Sequence, residues 1–154
     1  MKNTLLEIFA RDLDLLKTEI AAYKDENDLW IVRGEILNSA GNLCLHLLGN
    51  LNHFVGAILG NSGFVRNRDA EFSLKDVPQQ QLLEEIDYTK KVVLDTIAEM
   101  KESDFALDYP VEKRGQIVKM EFMLLHLLTH FNYHLGQINY HRRIIAAQTF
   151  DLAD

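Results

Sequence analysis

The chain has 154 residues, 47% hydrophobic and 25% charged, with a formal net charge of −7, the size and balance of one globular domain with a sizeable core. The acidic balance speaks against broad contact with a nucleic acid, and a single cysteine, Cys44, excludes an internal disulfide framework and suits a reducing cytoplasm. No run of about 20 apolar residues exists, and Glu7, Arg11 and Asp12 interrupt the N-terminal stretch, so neither a membrane span nor a secretory signal peptide is expected.

Only two prolines and eight glycines leave room for long helices. The first is predicted from about Asn3 to Tyr23. There Leu5, Ile8, Phe9, Leu13, Leu16 and Ile20 recur at three- and four-residue steps, and Arg11, Asp14, Lys17 and Glu19 make a solvated face. The periodicity lapses from Lys24 to Leu37, a connector holding the only tryptophan, Trp30, read as a core plug rather than a substrate wall. Asn38 or Ser39 can cap a second helix running to about Leu59. Leu43, Leu47, Leu48, Leu51, Phe54, Val55, Ile58 and Leu59 cover one side of it. Across from them sit His46, Gly49, His53, Gly56 and Ala57, with Asn50 at the edge. Two histidines among small side chains make a face open to close approach, by a site cavity or by another helix, including one from a second subunit.

Gly60 to Val77 is a long, turn-rich connection carrying Arg66, Arg68, Asp69 and Glu71. Solvated charge is the default reading of that cluster, and ligand contact the alternative. Pro78 opens a third helix to about Lys101, with Leu82, Leu83, Ile86, Val93, Leu94 and Ile97 on its core face. Asp87 and Lys91 are spaced to pair across one turn. The stretch from Glu102 to Gln116, with Tyr109-Pro110 and Gly115, breaks the pattern again. A fourth helix is predicted from about Ile117 to Ala147, after which the closing DLAD should fray.

That last helix carries the most distinctive stretch. Between Leu124 and Arg143 lie four of the six histidines, His126, His130, His134 and His141. At about 100° per residue they share a stripe roughly 80° wide with Met123 and Gln137, beside the apolar Leu127, Phe131 and Ile138. Imidazoles on a core-facing helix need partners, because an unpaired buried polar group costs about 1–3 kcal/mol. A metal ion satisfies several at once, and His130 with His134 forms H-x-x-x-H, a spacing that brings two imidazoles to one divalent cation. Phe131 stands where a zincin protease has its glutamate, so that chemistry is not indicated. His46 and His53 are seven residues apart, roughly 10 Å along the axis, so only one of them can serve the same ion.

A histidine in the second helix (CLHLLGNLNH, Cys44 to His53), one long middle connection and HLLTHFNYHLGQ (His126 to Gln137) in the fourth: this resembles the DinB-like superfamily. The similarity spans essentially the whole chain. It is greatest to a subgroup of small uncharacterised bacterial proteins with HLLGNL in the second helix and a following loop similar to VRNRDAEF. The resemblance implies an all-α, up-down-down-up four-helix bundle, often a homodimer, with a long connection between helices 2 and 3. It also implies a divalent metal held by three histidines, carried over to His46, His130 and His134. His126 is then a hydrogen-bond partner or a core residue, with core favoured; His141 lies outside the site, and His53 receives no role.

Three neutral imidazoles leave a coordination position open, as in catalytic rather than structural sites. Imidazole suits zinc, nickel, iron and copper, with zinc and nickel foremost here. Characterised relatives include transferases and isomerases that use low-molecular-weight thiols such as bacillithiol or mycothiol. The resemblance therefore implies a metal-dependent thiol S-transferase or hydrolase acting on a small molecule. Asn50, Tyr133 and Gln137 are placed to orient substrate or ligand imidazoles, and Arg66 and Arg68 to grip a carboxylate on a thiol cofactor. The alternative is a non-catalytic metal-binding or stress-related module. A DNA-binding role sits poorly with the charge of −7.

Overall fold

A computed structural model describes the backbone of residues 1–151 and the side chains of residues 1–147. These residues are all-helical, with no strand and only two isolated bridges, Asp108↔Lys119 and Lys113↔Gln116. The five α-helices are α1 (Lys2–Ala21), α2 (Ala40–Leu51), α3 (Arg68–Ser73), α4 (Gln79–Glu99) and α5 (Met120–Asp151). Four correspond to the long helices expected. The short α3 falls inside the connection read as turns. It forms because the Asn67 side chain accepts a hydrogen bond from the Ala70 N–H at 3.1 Å, and Asp69 and Glu71 occupy its first turn. Of the DLAD tail expected to fray, residues 152–154 lie outside the described ones.

Leu5, Phe9, Leu13, Leu16 and Ile20 of α1 are buried with Leu82, Ile86, Val93 and Ile97 of α4 and with Leu124, Leu127, Phe131 and Ile138 of α5. Both α1 and α2 contact α4 and α5, so all four long helices share this core. The charged side of α1 is exposed at Arg11 and Asp14 and is also paired with its neighbours. Lys17 pairs with Asp87, and Asp14 with Lys90, each at 2.6 Å, which aligns α1 antiparallel to α4. Glu19 accepts from Asn139 and Arg142 of α5, each at 2.7 Å. Because Asp87 is engaged across the helices by Lys17, it does not pair with Lys91; that lysine bonds Asp95 one turn further on.

The small-residue side of α2 is filled from within the chain. A Cβ on Gly49 would run into the Glu71 carboxylate and one on Gly56 would meet Val92 of α4 at 2.8 Å, while on the apolar side one on Gly41 would meet the Trp30 ring at 2.7 Å. Trp30 is thus a core plug, and no second subunit is needed to cover this face. Ser39 caps the helix, its side chain accepting from Asn42 N–H at 3.2 Å. Beyond Leu51 the helix continues as one widened π turn, Asn52–Ala57, closed by Ile58 N–H to His53 C=O at 3.1 Å. The Phe54 carbonyl in that turn accepts the Tyr109 hydroxyl at 2.7 Å. Among the described residues, no helix is long and apolar enough to cross a membrane.

Candidate metal centre

The contact of α2 with α5 brings His46, His130 and His134 together, each offering a ring nitrogen, all within 4.8 Å of one another. His46 Nε2 and His130 Nε2 are 3.2 Å apart. Two nitrogens on a tetrahedral zinc, each about 2.0–2.1 Å from the metal, lie about 3.3 Å from each other. The three rings meet edge-on, at interplanar angles of 77°, 89° and 83°. Edge-on rings aim nitrogens at a common volume, whereas stacked rings would not.

The outer nitrogens fix the tautomers. Glu71 Oε2 lies 2.8 Å from His46 Nδ1, and the same carboxylate accepts from Arg66 Nε at 2.6 Å and Nη2 at 2.9 Å. Burial pushes the Glu71 carboxyl up, but the hydrogen bonds from His46 and Arg66 outweigh it and hold the group below its ordinary range. An ionised Glu71 therefore accepts a hydrogen bond from the Nδ1–H of His46 and leaves Nε2 as a bare lone pair. Gln137 Oε1, 2.6 Å from His134 Nδ1, does the same for His134. Burial, then the neighbouring His134 and His46, pushes His130 down to about 4, and burial lowers His134 as well. Both are neutral at pH 7, the form that ligates a metal. His130 Nδ1 is the one buried side-chain polar atom among the described residues without a hydrogen-bond partner. The donor set, its protonation and its spacing fit a divalent ion.

The residues expected around the ligands divide between two cavities that meet at this cluster. Asn50, Arg66 and Arg68 line one of about 440 Å³ together with His46 and His130. Tyr133 and Gln137 line another, of about 520 Å³, on the His134 side. Arg66 is held by Glu71 and lies over the Phe54 ring at 5.7 Å, so its charge is already matched. Arg68 stacks on Phe72 at 5.4 Å.

Two readings need correction. His126 is not a core residue: it is half-buried and lines the 440 Å³ cavity, because the stripe it shares with His130 faces that opening. Glu71 is not solvated charge. It is 6% exposed, because α3 lays both Glu71 and Phe72 against the His46 ring, the latter at 4.9 Å between centroids. The Asn67 cap could have signalled a helix there, though not its target. His141 does lie outside the cluster: Tyr23 Oη donates to its Nδ1 at 2.7 Å, and its Nε2 donates to the Ile31 carbonyl at 2.9 Å. His53 packs on the Phe54 ring. Lys113 and Arg114, which no motif singled out, also line the cavity.

No curated protein matches the chain. A family model described as "Protein of unknown function (DUF1572)" matches residues 4–153. That span takes in all of α2, α3 and α5, and with them all three histidines and the carboxylate behind His46. The chain belongs to the DUF1572 family.

Proposed function

We propose that the protein binds one divalent metal ion through His46, His130 and His134 and uses it on a small molecule, with thiol transfer ahead of hydrolysis. The observation that carries this is the convergence of three imidazole nitrogens within 4.8 Å, two of them with their outer nitrogen engaged by Glu71 and Gln137. Zinc and nickel are the leading ions. An ion with three protein ligands and one open position supplies Lewis acidity, lowering the pKa of a bound water or thiol. Glu71 orients His46 and is no free base, since both its oxygens are engaged. That favours a thiol, which at a reference pKa of about 8.5 loses its proton with far less help than water. His126 is the imidazole on the wall of the cavity beside His46 and His130, outside the ligand set and placed to relay the proton.

The same reading includes the up-down-down-up bundle of the DinB-like superfamily, supported by the antiparallel α1–α4 pairing and by the pairing of Asp12 and Glu19 with Asn132 and Asn139. It also includes a homodimer, supported by the exposed Leu37, Tyr133, Tyr140 and Ile144. A second reading, a metal-binding module without turnover, is favoured by the Arg66–Glu71–His46 chain, which would let an ion simply brace α2 against α5.

Elemental analysis of protein purified without a metal-affinity tag tests the site. About one divalent ion per chain is expected, lost in His130→Ala. Metal content that survives His46→Ala, His130→Ala and His134→Ala alike ends the assignment. A thiol panel with a chloro-dinitrobenzene then tests turnover: a metal-dependent rate supports transfer. Silence there and with ester and amide panels leaves the module.

A further inference from the structure

The segment between Leu107 and Met120 is a short antiparallel arm. Tyr109 N–H bonds Val118 C=O at 2.8 Å, and Lys113 and Gln116 exchange backbone hydrogen bonds of 2.8 and 3.1 Å. Its two-residue turn, Arg114-Gly115, has φ of 52° and 76°, both in the left-handed region that such a turn requires. Glycine takes this conformation freely, and asparagine or aspartate is the usual companion; arginine is not. The tip sets Lys113 and Arg114 on the wall of the cavity that holds His46 and His130, and Arg68 of α3 lines that wall too.

Arg66 on this wall is matched by Glu71. Arg68, Lys113 and Arg114 have no carboxylate partner among the described residues, and the only acid lining the cavity is Glu112. Burial and then Arg114 lower Lys113; burial, then Lys113 and Arg114, lower His126. In a chain of net charge −7, Arg68, Lys113 and Arg114 have gathered on one concave wall that carries a single carboxylate, Glu112. A small anion would relieve their repulsion, and a concave wall strengthens its pull. The neutral groups agree. Asn50, 9% exposed, lines the same cavity, and its side-chain amide makes no hydrogen bond within the described residues. That amide is left to the cavity, with donors and an acceptor free for a ligand.

We propose that this cavity is a subsite for a small anionic molecule, carboxylate- or phosphate-bearing, gripped by Arg68, Lys113 and Arg114 with Asn50 meeting a second polar group. It deepens the metal reading by naming the substrate class, and rests on that reading only for what happens beyond the grip. The cations and Asn50 are present without any ion, so the subsite is testable on metal-free protein.

Calorimetric titration of chelator-treated, untagged protein compares succinate and inorganic phosphate with neutral succinamide. At least one anion is expected to bind, more weakly as salt is raised, and succinamide not to bind. Whether succinate or phosphate is favoured identifies the headgroup. Arg68→Gln, and Lys113→Gln combined with Arg114→Gln, should each weaken the anion roughly tenfold or more, the scale of losing a charge-assisted hydrogen bond. Because the titration is made on metal-free protein and metal content is read by elemental analysis, the two readings fail separately. Succinamide binding as tightly as succinate and phosphate, no binding of either anion, or unchanged affinity in either the α3 variant or the hairpin variant overturns the proposal.

Discussion

Gly49 and Glu71 claim the same space: the carboxylate of Glu71 sits where a side chain on residue 49 would begin. Only a glycine in α2 lets the α3 carboxylate reach His46, three residues before it on the same helix. Gly49→Ala should therefore push Glu71 away and free the Nδ1 side of His46. Loss of such a hydrogen-bonded partner behind a ligand typically weakens metal binding about 10- to 100-fold. Competition titration of the metal against a chromogenic chelator measures it. The direction is diagnostic, because Gly→Ala inside a helix ordinarily stabilises by about 1 kcal/mol. An alanine variant with a higher Tm and undiminished metal affinity would refute the steric account.

Breaking the pair behind His46 should be costlier than replacing it. Glu71 and Arg66 side chains are 7% and 13% exposed. Glu71→Ala leaves a largely buried guanidinium uncompensated, a loss of about 3 kcal/mol at the low end of such cases. Arg66→Met made together with Glu71→Leu removes both charges and should recover most of that stability while still weakening metal binding. Urea unfolding of the single and double variants decides. A double variant no more stable than Glu71→Ala would mean that the charge is not what the single change exposes.

What could be seen in the sequence, and what could not, follows the range of each interaction. His130 and His134 share a face through the helical repeat alone, and Gln137 falls one turn beyond His134, so the α5 half of the site was legible from spacing. His46 was reached through its resemblance and its small-residue setting. Glu71 lies 25 residues from His46 and meets it only because α3 folds back over Gly49; no local pattern encodes that. The arm tip was hidden for another reason: Arg-Gly is not the Asn-Gly or Asp-Gly that announces such a turn. His126 was misplaced because its wheel position matches that of its neighbours, and periodicity does not distinguish a cavity wall from a core.

His141 should behave as a structural histidine despite sharing the stripe of the ligands. Its two nitrogens link the Tyr23 hydroxyl to the Ile31 carbonyl, tying α5 to the end of α1 and to the connector. His141→Phe keeps bulk but strands both partners in a buried setting, for about 1–3 kcal/mol of stability. Metal content should stay at the wild-type level. Thermal unfolding and elemental analysis on the same preparation check both halves. A variant that loses its metal while keeping its Tm would move His141 into the site.

The clamp between α1 and α5 supplies a pH signature away from the metal site. Burial raises the Glu19 carboxyl, but hydrogen bonds from Arg142 and Asn139 lower it by more, leaving it below its ordinary value of 4.5. A carboxyl depressed in the folded state adds stability that is fully present above the unfolded pKa and fades as pH falls through the folded one. The side chains are only 16% and 25% exposed, so the pair contributes about 1 kcal/mol rather than the near-zero of a surface bridge. Glu19→Gln should therefore be less stable than the parent by about that amount at pH 7. The gap should narrow once the pH drops below about 4.5 and close at still lower pH, where Glu19 itself is protonated. Urea titrations at pH 7, 4.5 and 3 trace it, and a gap of constant size across all three would show that the ionised form of Glu19 is not what holds the two helices together.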